Sequence, residues 1–230
     1  MSTASSPLPP PLDPRTIRGI VFDLDGTLID SYSAIATSLN HARAAFDLPP
    51  LPPLFVRRRV GHGLESLIAD LVGPRRIDEG VRLFRERYAL VYAAETVALR
   101  GAVTLLSRLA ARGYRLAIAS NKPARFSVAI LEALGMSEGL SCVAGPDVVG
   151  STKPDPEMIR FCLRRMDVDP AHAIYVGDML LDVESAARAE VAVVLVEGGS
   201  SDATDLRNTG QMVLGSIAEL DTLLPGVDPG

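Results

Sequence analysis

From about residue 98 onward the chain switches repeatedly between two hydrophobic periods. Ala102 to Ala111 carries apolar residues at helical spacing and closes at Gly113; Tyr114-Arg115-Leu116-Ala117-Ile118-Ala119 then reads as a strand. Pro123 to Leu134 predicts a helix ended near Gly135, Ser141 to Ala144 a short strand, and Asp155 to Met166 another helix. Ala173 to Val176 reads as a strand, Met179 to Ala189 as a helix, and Val191 to Val196 as an apolar strand. One earlier run, Ile17 to Phe22, has the same apolar, β-branched character, and a helix over Tyr32 to Phe46 follows it. Such alternation predicts an α/β fold: a doubly wound, Rossmann-like parallel sheet covered on both faces.

Between the first two strands the period-2 signal disappears. Leu54 to Val60, Leu64 to Val72 and Ile77 to Ala94 all read as helices, so residues 31–97 are expected to form an all-helical insertion. The core then comprises residues 17–30 and 98–230. Residues 1–16 are Ser/Pro-rich at their start and are expected to be a disordered leader. That leader has neither a basic nor an apolar signal-peptide region, and no run approaches the roughly 18 apolar residues of a membrane span. The expected location is the cytoplasm.

Composition adds little to this picture. At 230 residues, 47% hydrophobic and 22% charged, the chain has ample material for one core plus an insertion. Its net charge of −5 argues against nucleic acid or an anionic membrane as partner. Cys142 and Cys162 lack metal-ligand spacing and are expected to be small buried hydrophobes.

The chemistry gathers at the carboxyl ends of the predicted strands, where ligands sit in open parallel sheets. The first strand runs into Asp23-Leu24-Asp25-Gly26-Thr27. Carboxylates spaced i, i+2 project to one side, and two like charges held that close call for a cation or a shared proton. Taken alone, the Asp-x-Asp-Gly pattern also fits a turn capped by loop aspartates. Three more stations follow in order: Ser120-Asn121-Lys122, Lys153-Pro154, and Gly177-Asp178 with Asp182. Together the four resemble the haloacid dehalogenase-like hydrolase superfamily, and more closely its phosphoglycolate phosphatase-like branch, over roughly residues 17 to 200.

The resemblance implies a role for each station. The insertion becomes a mobile cap closing over the site. Asp23 is the expected nucleophile, forming an aspartyl-phosphate, and Asp25 the general acid and then base. Mg²⁺ is expected on the Asp23 carboxylate, the Asp25 backbone carbonyl and Asp178, with Asp182 completing the metal site from behind. Lys153 would neutralise nucleophile and phosphoryl group together, with Asp155 as N-cap and Pro156 opening the next helix. Ser120 and the Asn121 amide would bind phosphate oxygens, and Thr27 would orient the loop. Lys122 and Lys153 are the only lysines in the chain, yet Lys122 is expected to be structural or peripheral. In the cap, Arg57-Arg58-Arg59 reads as a basic face able to meet a substrate carboxylate. His62, between Gly61 and Gly63, is a candidate substrate contact. Ala189-Glu190 departs from the family's usual Ala-Gly, which puts the turn after that helix in question.

The expected activity is Mg²⁺-dependent hydrolysis of a small phosphorylated metabolite, phosphoglycolate at the level of the branch. A dehalogenase needs no acid two residues after its nucleophile, so Asp25 argues against one. A phosphonoacetaldehyde hydrolase uses a cap lysine, and this cap has none. A phosphomutase of the β-phosphoglucomutase type keeps every core station and stands as the alternative. A binding module without activity fits poorly, because no station is missing.

Overall fold

The computed structural model describes residues 8–227. The chain runs β1 (Gly19–Phe22), β2 (Ile29–Asp30), α1 (Tyr32–Ala44), α2 (Pro53–Arg57), α3 (Leu64–Leu71), α4 (Ile77–Val91) and β3 (Val97–Ala98). It continues through α5 (Ala102–Ala111), β4 (Arg115–Ala119), α6 (Ala124–Ala133), β5 (Leu140–Ala144), α7 (Pro146–Val149) and α8 (Glu157–Met166). The last elements are β6 (Ala173–Gly177), α9 (Leu180–Ala189), β7 (Ala192–Val196), α10 (Ala203–Asn208), β8 (Met212–Leu214) and α11 (Leu220–Leu223). Six strands form one sheet in the order β5-β4-β1-β6-β7-β8, every pairing parallel.

Alternation along each strand divides the core in two. Ile20, Phe22, Leu116, Ile118, Ile174, Val176 and Val194 pack into the layer that holds α5 and the C-terminal segment. Val21, Ala117, Ala119, Tyr175, Val193 and Leu195 face the layer of α8 and α9. Each fully buried aliphatic or phenyl side chain contributes on the order of 1.5–3 kcal/mol. The centre of this sheet therefore forms a stiff platform, and β1 lies between β4 and β6.

Helices α1 to α4 build a separate core from residues including Ile35, Leu39, Val56, Leu67, Ile68, Phe84 and Tyr88. A two-stranded antiparallel ribbon, with Ile29 opposite Ala98 and Asp30 opposite Val97, joins this helical unit to the sheet.

The strands fall where the periodicity places them, within two residues at either end. Helix α2 is shorter than the expected 54–60, ending at Arg57 before the positive-φ glycines Gly61 and Gly63. Helix α8 starts at Glu157, not at Asp155: Asp155 Oδ1 instead accepts from the Glu157 amide at 2.9 Å, and Pro156 precedes the helix. Strand β8 and helices α7, α10 and α11 carry too few residues to show a period. Of the expected leader, residues 1–7 lie outside the described residues; residues 8–16 form no helix or strand, though Leu12 packs against the core. Among the described residues no helix is long and apolar enough to cross a membrane.

Candidate active site

Asp23 follows β1 directly, its amide donating to the Val176 carbonyl at 2.8 Å so that the strand ladder fixes its position. The side chain is buried, as are those of Asp178, Asp182 and Lys153. Lys153 Nζ lies 3.0 Å from Asp23 Oδ2 and 2.7 Å from Asp182 Oδ1, and donates to the Tyr175 hydroxyl at 3.1 Å. Tyr175, on β6, donates in turn to the Ala119 carbonyl at 2.8 Å. The lysine is thus held from both sides of β1.

Both oxygens of Asp182 are hydrogen-bonded or ion-paired. Its Oδ1 takes Lys153, and its Oδ2 accepts the amides of Asp178 at 3.0 Å and Met179 at 2.9 Å, capping the N-terminus of α9. Asp178 is held by Thr27 Oγ1 at 3.0 Å and by the Ser200 amide at 2.6 Å. Close packing here requires glycine: a Cβ on Gly177 would sit 2.3 Å from Asp182 Oδ2, and one on Gly199 2.0 Å from Asp178 Oδ2.

Oxygens of Asp23, Asp178 and Asp182 gather within 4.8 Å of one another. Burial, opposed by Lys153 and reinforced by Asp182, pushes the Asp23 carboxyl up to about 6. Burial, with Asp182 and Asp23 beside it, drives Asp178 well above the ordinary carboxylate range. Burial alone would lower Lys153, but Asp182 and Asp23 outweigh it, so the ammonium persists. Three carboxylates against one ammonium leave this pocket short of positive charge. Asp23 Oδ1 is moreover buried without a hydrogen-bond partner. Both facts suit a divalent cation held by Asp23 and Asp178.

Asp25 is tied to a second lysine. Lys122 Nζ donates to Asp25 Oδ1 at 2.6 Å, to the Tyr88 hydroxyl at 2.8 Å and to Ser31 Oγ at 3.3 Å, while Ser31 Oγ also bonds Asp25 Oδ1. Lys122 is buried at the centre of the site, not at its edge. The sequence does hold a signal for it: both lysines of an otherwise arginine-rich chain lie in this site.

Ser120 directly follows β4 and is buried, with its amide on the Ala144 carbonyl at 3.1 Å. The Asn121 side chain bridges the two units: its Oδ1 accepts the Lys153 amide at 2.7 Å, and its Nδ2 donates to the Gly61 carbonyl at 2.7 Å. Gly61 and Gly63 line the cavity above Asp23, whereas His62 is exposed and lines a separate groove with Arg58 and Asp202. The three consecutive arginines are engaged elsewhere: Arg57 with the Gly199 carbonyl, Arg58 with Asp202, and Arg59 with Asp70.

The cavity, about 90 Å³, is bounded below by Asp23, Asp25, Ser120, Asn121, Lys122 and Lys153. Its upper wall comes from the helical unit and is mostly apolar. There Tyr88 stacks on Phe84 at 5.5 Å and meets Phe126 of α6 edge-on at 5.1 Å.

Fold and site together define an α/β enzyme with a buried acidic centre at the carboxyl edge of a parallel sheet, roofed by helices. The chain belongs to the haloacid dehalogenase-like hydrolase family, whose sequence model matches residues 20–196. Its relatives place it among the phosphatases of that family, in the phosphoglycolate phosphatase-like branch. It is 36% identical over 195 residues to a phosphoglycolate phosphatase of Rhodospirillum rubrum, covering 80% of this chain and 81% of that one. A phosphoglycolate phosphatase of Mesorhizobium japonicum is 35% identical, covering 80% and 84% of the two chains. The crystal structure of a predicted phosphatase from Clostridium acetobutylicum superposes with a TM-score of 0.82 at 25% identity, covering 90% of this chain and 97% of that one. Phosphatases of this family typically use a divalent metal ion, and the acidic cluster is where it would bind.

Proposed function

We propose that the protein is a cytoplasmic, Mg²⁺-dependent phosphatase of a small phosphorylated metabolite, phosphoglycolate or a close relative, working through an aspartyl-phosphate on Asp23. The observation that carries this reading is Asp23 itself. It is buried at the end of the central strand, paired through Oδ2 with Lys153, unpartnered at Oδ1, and on the floor of the cavity beneath the helical unit.

Asp23 attacks phosphorus, and the bond to the leaving oxygen breaks. Asp25, on the cavity floor, gives its proton to that oxygen, then takes one from the water that hydrolyses the acyl phosphate and restores Asp23. Lys153 screens the approach of a phosphate dianion to a carboxylate, and Ser120 with the Asn121 backbone amide would hold the phosphoryl oxygens. Asp23, Asp178 and the Asp25 carbonyl would hold Mg²⁺, which supplies further charge compensation at the phosphoryl group. Asp182 supports this set by fixing Lys153 and the Asp178 amide. The name of the Rhodospirillum rubrum relative and the small cavity both favour a compact leaving group.

The test is phosphate release from phosphoglycolate by wild type and Asp23→Asn, with Mg²⁺ and with excess chelator, together with trapping of the intermediate by borohydride. Wild type with Mg²⁺ should release one phosphate per substrate consumed, while the variant and the chelated enzyme should be silent. Label on a residue other than Asp23 would sink the nucleophile assignment. Conversion of a sugar phosphate into its isomer with little phosphate released would favour the mutase.

A further inference from the structure

We infer that Arg85 is the specificity residue of this site and that it binds a carboxylate on the leaving group of the substrate. The inference rests on the phosphatase reading and adds to it the group that selects among phosphate esters. The floor of the cavity can serve any phosphate monoester, since its groups meet only the phosphoryl end. Selection therefore falls to the opposite wall, where α3, α4 and the turn before α3 contribute Val60, Leu64, Leu67, Phe84, Arg85 and Tyr88. Tyr88 spends its hydroxyl on Lys122, and four of the others are apolar. Arg85 is the one charged side chain that the helical unit brings to this cavity among the described residues.

Its hydrogen bonding is incomplete. Among the described residues only four buried side-chain N or O atoms lack a partner, and two belong to residues lining this cavity: Asp23 Oδ1 on the floor and Arg85 Nε on the roof. The two residues line opposite walls of the cavity, a carboxylate below and a guanidinium above. Arg85 Nη2 does meet Glu65 Oε1 at 3.1 Å, but that pair is well exposed, with side-chain accessibilities of 42% and 61%, and restrains the guanidinium weakly. A guanidinium presents its donors in a planar fork that matches a carboxylate. A second phosphate is a poorer fit, since its two charges would meet a single arginine on an otherwise apolar wall. The arginines that the sequence offers for this purpose, Arg57, Arg58 and Arg59, do not line this cavity.

The experiment compares phosphoglycolate with ethyl phosphate, which lacks the carboxylate, in the Mg²⁺-loaded wild type and in Arg85→Gln and Arg85→Lys. Arg85→Gln should lower kcat/KM for phosphoglycolate by about a hundredfold, chiefly through KM, because the carboxylate is held alike in ground and transition states. On ethyl phosphate the same change should cost less than about threefold, and Arg85→Lys should recover part of the lost selectivity. Equal losses on both substrates, in either variant, would overturn the inference by assigning Arg85 to the fold or to cap closure. Undiminished selectivity in Arg85→Gln would overturn it while leaving the phosphatase reading intact. A wild type that hydrolyses both esters equally well, or prefers a bisphosphate, would remove the phosphoglycolate reading and the carboxylate contact together.

Discussion

Lys122 commits its ammonium to Asp25, Ser31 and Tyr88, three groups drawn from the sheet's edge and from the helical unit. Burial alone would lower its proton affinity, but the Asp25 carboxylate and the Tyr88 hydroxyl more than reverse that, so it stays charged. Its service is to hold Asp25 in one place, and the loss should show where Asp25 acts. Lys122→Met is expected to lower kcat/KM for an alkyl phosphate, which reports the step in which the leaving oxygen is protonated, by about a hundredfold, the scale of general acid catalysis. On p-nitrophenyl phosphate, whose leaving group needs no proton, the loss should be far smaller. Steady-state kinetics on the two esters separates the cases, and equal losses would make Lys122 a packing residue.

At the scale of elements, helix endings set how each helix returns to the sheet. Helices α5, α6, α8 and α9 all end on a residue in the left-handed region: Gly113, Gly135, Asp167 and Glu190. Glu190 keeps the turn that a glycine would make, with φ 61° and its amide on the Ala187 carbonyl at 3.1 Å. The substitution noted in the sequence therefore leaves the geometry unchanged and carries a conformational cost. Glu190→Gly should stabilise the protein by about 0.5–1 kcal/mol, the left-handed penalty less the extra freedom of glycine in the unfolded chain. For a chain of this length that corresponds to a rise of roughly 1–4 °C in Tm, with activity unchanged. A fall in Tm would show that the glutamate side chain makes a compensating contact.

Across the whole molecule, the acidic centre is a load on the metal-free fold. Asp23 and Asp178 have folded-state values above the ordinary 3.8, Asp23 reaching about 6. The folded state then binds more protons than the unfolded chain between those values. Its stability falls as pH rises through that window and is best retained below it. A divalent cation held there would relieve the load, so the stabilising effect of added Mg²⁺ should grow with pH. Calorimetry should find a larger Mg²⁺-induced rise in Tm at about pH 7.5 than at about pH 5, the stabilisation approaching about 2.7 kcal/mol in free energy at a hundredfold excess over Kd. An increment equal at both pH values would mean that the ion binds away from these carboxylates.

The sequence by itself determined the parallel sheet, because strand and helix periods are local and β1, β4, β6 and β7 are buried on both faces. It also marked the residues at the strand ends, since Asp23, Ser120 and Asp178 each lie within one residue of a strand that carries them there. It left the two-residue strands β2 and β3 invisible, because a pair that short has no period to read. Only the tertiary structure decided which side chains meet. Lys122 reaches Asp25 across 97 positions, and Asp178 is held by the amide of Ser200 from the loop after β7. Docking of the helical unit brings Arg85 to the cavity wall, leaves His62 outside it, and engages Arg57 with Gly199 and Arg58 with Asp202. Those outcomes depend on how two separately formed cores pack against each other, and no window along the chain contains that geometry.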